Sequence, residues 1–309
     1  SSDTPLGSAF SVNSMYWMNG HRLRRMVRDN PADVVVSVHS VITRPSMRAF
    51  QAFDCRPPFL TVVTDLVTTH RLWFDTHTDR CFVPTQSAYD RALQRGMRPD
   101  QLQLSGLPVN PGFTNAMVGE SEAREFLGWR DDKPTILMIG GGEGMGPLFS
   151  HAQAINAAQL DCELAIVAGR NTELREMLED QHWNQPTHIY GFVNNVHDMP
   201  LMMKAADVLV TKAGPATISE ACIAGLPMIL YSAIPGQEEG NVDFVEENQI
   251  GTFAPKPEMM VEVLQSWFQK GELQRLAQRA LEIAHPGAVW EIADAIWEYA
   301  HAGAVPVRV

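Results

Sequence analysis

The chain has 309 residues, 45% of them hydrophobic, which is enough for two domains of ordinary size, each with its own core. A formal net charge of −12 excludes a general nucleic-acid binder, because neutralising phosphates takes Lys and Arg clustered over a broad face. No apolar run reaches the roughly 20 residues that span a bilayer, Ser1-Ser2-Asp3-Thr4-Pro5 has no signal-peptide pattern, and Cys55, Cys81, Cys162 and Cys222 are scattered without a C-x-x-C pair. The expectation is a globular protein on the cytoplasmic side whose membrane contact is peripheral.

In chain order, His21-Arg22-Leu23-Arg24-Arg25-Met26-Val27-Arg28 departs from the acidic balance and reads either as a solvated helix face or as a contact for an anionic membrane surface. Residues 34–38, 59–64 and 80–84 are short apolar runs expected to be strands. A helix is expected over 87–94 and a further strand over 102–104. Gly106-Leu107-Pro108-Val109-Asn110-Pro111-Gly112-Phe113 breaks the pattern with two prolines and two glycines, and sets a boundary between a first domain, 1–113, and a second, 114–309.

The second region restarts with a helix over 121–127. Strands are expected at 135–139, 163–168, 187–190, 208–211 and 227–231, with helices in the gaps and again over 257–268, 272–284 and 288–299. Strands alternating with helices are the signature of parallel α/β sheets. Two open Rossmann-like sheets joined by a short linker imply a cleft, with ligands outside the carboxyl ends of the strands.

The chemistry concentrates in loops at those ends. Lys212-Ala213-Gly214-Pro215-Ala216-Thr217-Ile218-Ser219-Glu220-Ala221 reads as a strand entering a glycine turn and then a helix. Gly214 permits an unusual turn, Pro215 suits the first helical position, and the following amides with the helix dipole favour a phosphate. Glu220, one turn further in, is placed to accept from sugar hydroxyls. An ordinary βα turn with a surface Glu has the same local pattern.

Gly140-Gly141-Gly142-Glu143-Gly144-Met145-Gly146-Pro147 follows another strand, and its glycines let backbone approach a ligand closely. It is not G-x-x-x-x-G-K-[ST], nor does it follow a first N-terminal strand with an acid at dinucleotide spacing, which leaves NAD binding a weak alternative. Gly191-Phe192-Val193 offers backbone groups to a base, with Phe192 as a stacking edge or as core filling. Ile234-Pro235-Gly236-Gln237-Glu238-Glu239-Gly240-Asn241 crowds polar side chains suited to sugar hydroxyls.

Taken together, the motifs at 140–147, 211–221 and 236–242, with Val62-Val63-Thr64-Asp65-Leu66, His70, Trp73-Phe74 and Gly106-Leu107-Pro108-Val109, resemble monogalactosyldiacylglycerol synthase. That family is similar to the diacylglycerol glucosyltransferases and, more distantly, to the lipid II N-acetylglucosaminyltransferase. The resemblance implies an α/β GT-B fold and transfer of a hexose from a UDP-sugar to the hydroxyl of diacylglycerol, inverting, without a metal or other cofactor. Galactose is preferred over glucose on the 236–242 loop; a UDP-glucose-dependent glucosyltransferase and a silent UDP-sugar-binding homologue are the alternatives.

Carried over, Gly214, Pro215, Ala216 and Thr217 hold the diphosphate and Glu220 the ribose, while Phe192 and Val193 hold the uracil. Gln237 and Glu238 hold the hexose, with Asn241 in the same loop, and Gly141, Gly142, Glu143 and Gly144 bring backbone to the donor. Family members open with a strand and a glycine-rich loop ending in His, the presumed base. Here the first domain is expected to lack that βα unit, the chain being either a fragment or degraded there, so Asp65 and His70 are the catalytic candidates, with a buried hydrogen-bonding role for Asp65 and a rim role for His70 as the alternatives. Trp73 and Phe74 form an apolar acceptor surface or simply pack. The run Asp75-Thr76-His77-Thr78-Asp79 alternates metal-ligating residue types without a partner cluster and reads as a polar rim.

Overall fold

The computed structural model describes residues 5–114, 119–140, 147–193, 198–303 and 305–306. The chain runs α1 (Pro5–Asp29), β1 (Val35–Ser37), α2 (Ser40–Phe50), β2 (Cys55–Arg56), β3 (Phe59–Val62), β4 (Arg80–Val83), α3 (Gln86–Gln94) and β5 (Leu102–Leu104). It continues through α4 (Glu120–Leu127), β6 (Thr135–Ile139), α5 (Leu148–Ala158), β7 (Glu163–Val167), α6 (Thr172–Glu179), β8 (Thr187–Tyr190), α7 (Asp198–Ala205) and β9 (Val208–Lys212). After these come α8 (Pro215–Ala224), β10 (Met228–Ser232), α9 (Glu239–Glu247), β11 (Gly251–Phe253), α10 (Pro257–Lys270), α11 (Glu272–Ile283), α12 (Ala288–Ala302) and β12 (Val305–Pro306).

Residues up to Pro108 form one compact unit together with those from Gly287 on; Val109–Pro286 form the other. The first unit carries a parallel sheet in the order β1-β3-β4-β5, and β12 pairs antiparallel with β2. Phe59 meets Met47 and Phe50 of α2 on one side, where Val27 of α1 also packs. Alternation then turns Leu60 and Val62 to the opposite side, with Phe82, where Ile292 of α12 covers them.

This corrects the division expected at 113/114, which gave the last helix to the second domain. The stripe Ile292, Ala295, Ile296 and Tyr299 has helical spacing, and the apolar surface it covers belongs to the first sheet. One further element, α2, differs from expectation. Helix α2 contains Pro45 and the β-branched run Val41, Ile42 and Thr43, which hide it from propensity. Packing of Met47 and Phe50 against Phe59 fixes it instead.

The second unit is a six-stranded parallel sheet in the order β11-β10-β9-β6-β7-β8. Every residue of β6 and of β7 is buried, as expected of strands covered on both faces. The chain places β7 and β8 on one side of β6, then returns to place β9, β10 and β11 on the other. The strand order therefore reverses between β6 and β9, which pair with Ile139 opposite Thr211. Buried Arg124 ties this centre together from below: its Nη2 bonds Asp207 at 2.7 Å, and the same carboxylate oxygen accepts from the Thr135 amide at 2.7 Å.

The outermost strand, β11, depends on a glycine for contact rather than for its dihedrals. A Cβ on Gly251 would lie 2.1 Å from the Met228 carbonyl oxygen and 2.9 Å from Val245 Cγ1. Gly251→Ala is therefore expected to push β11 off β10 and lower stability by about 1–3 kcal/mol, the usual range for overpacking. The midpoint of denaturant unfolding measures it.

Candidate donor site at the strand-order reversal

Chains leaving β6 and β9 part to opposite faces at the reversal, so the space between them is left to loops. The loop after β6 contains Gly141, Gly142, Glu143 and Gly144, which lie outside the described residues. The turn after β9 is described in full. Ala213 N donates to Ser232 O at 2.8 Å and Gly214 N to Lys212 O at 2.7 Å, and α8 begins at Pro215.

Gly214 has φ −74° and ψ 133°, ordinary extended backbone, which corrects the expectation of an unusual turn. A Cβ there would touch Lys212 Cε at 3.7 Å and Thr217 Oγ1 at 4.0 Å. The glycine thus keeps open the space over the helix start. The first amide of α8 with an intrahelical partner is that of Ile218, bonded to Gly214 O at 3.1 Å. Pro215 has no N–H, and the amides of Ala216 and Thr217 have no partner among the described residues. Two free donors, a half-buried Thr217 hydroxyl and the positive end of a ten-residue helix make an anion socket.

Glu220 stands on the same helix, half-buried, with no hydrogen-bond partner among the described residues. Burial pushes its carboxyl from the ordinary 4.5 up to about 7. An acceptor held in this way is stabilised by whatever brings it hydroxyl donors.

The loop after β10 splits the residues expected to read the hexose. Gln237 is exposed, whereas Glu238 is buried and committed to the protein: Oε2 accepts from Ile234 N at 3.0 Å and Oε1 lies 3.4 Å from Lys212 Nζ. Asn241 is also buried. Its Nδ2 donates to Ala213 O at 2.9 Å, pinning α9 to the turn after β9, while its Oδ1 is buried without a partner.

Phe192, after β8, is 43% exposed, so it is not core filling; the Arg170 guanidinium lies 3.9 Å over its ring. Val193 beside it is half-buried. Arg170 and Lys212 are the residues that sequence reasoning missed. Lys212 ends β9 and Arg170 lies in the loop that follows β7, and a place at a strand's carboxyl end was the available signal.

In the first unit Asp65 Oδ2 accepts from Trp73 Nε1 at 2.6 Å. His70 Nδ1 accepts from Leu72 N at 3.1 Å, so a neutral ring carries its proton on Nε2. Trp73 and Phe74 are buried with Val63, Cys81 and Val83: they pack, and form no acceptor surface. Asp79 accepts from the Phe59 amide and pairs with Arg56, and Asp75 bonds His77. Among the described residues no three His, Cys, Asp or Glu side chains gather as metal ligands.

Residues 3–109 match the family model of monogalactosyldiacylglycerol (MGDG) synthase, and residues 135–284 that of the glycosyltransferase family 28 C-terminal domain. The probable monogalactosyldiacylglycerol synthase 2 of Oryza sativa subsp. japonica is 36% identical, over 97% of this chain and 68% of its own length. The monogalactosyldiacylglycerol synthase of Spinacia oleracea is 38% identical over 84% of this chain, which spans about half (51%) of that protein.

Among solved structures, Acinetobacter baumannii MurG superposes with a TM-score of 0.63 at 18% identity, covering 89% of this chain and 76% of its own. Staphylococcus aureus MnaA with UDP gives 0.67 at 15%, covering 94% and 82%. Two parallel α/β units give the GT-B fold shared with MurG, and the family models with the synthase relatives define a glycosyltransferase. The chain belongs to the monogalactosyldiacylglycerol synthase family.

Glu220 also makes a stability prediction. Its folded pKa lies above its unfolded one, so the ionised form is penalised only in the folded state: stability is full below about pH 4.5 and falls as pH rises to about 7. Glu220→Gln is expected to match the parent near pH 4.5 and exceed it at pH 8 by about 1–2 kcal/mol, allowing for partial solvent access. Denaturant unfolding at the two pH values reads the difference.

Proposed function

We propose that this chain transfers galactose from UDP-galactose to the hydroxyl of diacylglycerol, with inversion at the anomeric carbon. The observation that carries the reading is the socket of free amides on α8 with Glu220 one turn behind it, at the reversal between β6 and β9. Inverting transfer asks for an oxygen attacking the anomeric carbon from the face opposite the leaving UDP. Negative charge then grows on the diphosphate, and the helix dipole with the Ala216 and Thr217 amides meets it without reorganising. In this reading no metal or cofactor is required.

Uracil lies against Phe192 and Val193, with Arg170 backing the ring, and Glu220 accepts from the ribose. On the acceptor side the proposed base is Asp65, whose carboxylate is held in place by the Trp73 indole. His70, with its proton on Nε2, orients the hydroxyl. Asp65→Asn is expected to lower kcat by about 10²–10⁴-fold, with UDP-galactose affinity unchanged in calorimetry.

Membrane contact is proposed for α1. Trp17 is 86% exposed, Met18 and Met26 are exposed with it, and Arg22, Arg24, Arg25 and Arg28 are exposed on the same helix. Arg48 of α2 lies 4.5 Å over the Tyr16 ring, beside a cavity of about 750 Å³ lined also by Trp17, His21 and Arg24. Aromatics at headgroup depth and arginines facing anionic lipid are the marks of a peripheral, interfacial helix. No helix among the described residues is long and apolar enough to cross a membrane. The proposed site of action is the cytoplasmic face.

A transfer assay with UDP-galactose and UDP-glucose side by side, on diacylglycerol in neutral and in anionic vesicles, tests the whole reading. Galactolipid formed faster in anionic vesicles is expected. Glucose transfer instead would reassign the donor, and UDP-galactose binding without transfer would leave a silent binding protein.

A further inference from the structure

Lys212 ends β9 but does not reach outward. Its Cε lies over the turn, 3.7 Å from the place a Cβ on Gly214 would take, and the Thr217 hydroxyl is 4.0 Å from that same point. The ammonium therefore belongs to the space above the free amides of α8. It is held there by a carboxylate from a different loop, Glu238 Oε1 at 3.4 Å.

The two partners are unequally placed. The Lys212 side chain is 36% exposed and that of Glu238 4%. Charged hydrogen bonds usually close to about 2.7–2.9 Å, so this pair is loose and open to exchange. Glu238 also accepts from Ile234 N, which keeps its carboxylate in position when the lysine leaves. Nearby, the unpartnered Oδ1 of buried Asn241 is a second acceptor waiting for a donor, on the amide whose Nδ2 bonds Ala213 O.

We infer that Lys212 and Glu238 form an exchange pair that makes recognition of the sugar conditional on the diphosphate; this rests on the donor reading above. On entry of the donor, a phosphate oxygen held by the Ala216 and Thr217 amides takes Lys212 from Glu238. Glu238 is left as a buried carboxylate without its cation, which is unfavourable unless hydroxyl donors replace it. A hexose supplies them, and Asn241 Oδ1 accepts alongside.

UDP without a sugar breaks the pair and gives nothing back. The same device therefore favours departure of the product nucleotide: once the hexose has been transferred, Lys212 returns to Glu238. Lys212 is in this account a donor-binding residue, and Glu238 recognises the sugar only after being displaced.

The test is a double-mutant cycle read by calorimetry, with UDP and UDP-galactose as the two probes on the full chain. Glu238→Gln retains an acceptor for the Ile234 amide and removes the competing charge. It is expected to tighten UDP by about tenfold while erasing most of the advantage of UDP-galactose over UDP. Lys212→Met is expected to weaken both ligands about tenfold, and in that background Glu238→Gln should no longer tighten UDP.

Melting curves that coincide with the parent establish that each variant is folded, and Lys212→Arg, expected to hold UDP within a few-fold, separates charge from packing. If Glu238→Gln leaves UDP affinity unchanged, weakens both ligands equally, or acts identically with Lys212 absent, the exchange is overturned while the donor reading stands. A parent protein that binds neither nucleotide overturns both.

Discussion

The reversal of strand order between β6 and β9 is the constraint from which the second unit's chemistry follows. In a parallel sheet every strand delivers its carboxyl end to the same edge, and helices normally carry the chain away over one face or the other. Where consecutive crossovers leave by opposite faces, two strand ends stand side by side with nothing packed across them. Backbone donors there have no next residue of helix or sheet to satisfy them. The amides of Ala216 and Thr217, which have no partner among the described residues, are such groups, and the pairing of Ile139 with Thr211 fixes where they lie.

Around that socket the protein gathers acceptors rather than donors. Glu238 and the Oδ1 of Asn241 are buried oxygens, and the Glu220 carboxyl is half-buried. A polyol brings many hydroxyl donors, so a site rich in desolvated acceptors discriminates for sugars and against bare phosphate. The cation at Lys212 balances the buried carboxylate of Glu238.

Much of this was legible in the sequence because parallel strands buried on both faces write themselves as apolar runs, as at Thr135–Ile139 and Met228–Ser232. Glycine and proline marked the turn at Gly214 and Pro215 as a site, although the dihedrals of Gly214 proved ordinary and its role one of leaving room. Pairings between distant residues were not legible. Lys212 and Glu238 are separated by 26 positions, and only folding brings the end of β9 beside the loop after β10. Nor does a stripe of Ile292, Ala295, Ile296 and Tyr299 say which sheet it will cover, since either would accept an apolar helix face. Short Gly251–Phe253, three residues beginning with glycine, offers too little pattern to be read as a strand.

Helix α12 has a consequence for how the chain is made. The second unit is continuous in sequence, from Val109 to Pro286, and its core is complete as soon as that stretch has been synthesised. The first unit is not: Leu60, Val62 and Phe82 stay uncovered until Ile292 and its neighbours arrive, about two hundred residues later in translation. The earlier-synthesised sheet is therefore the later to finish, and until α12 arrives it exposes an apolar face that must be kept from other chains.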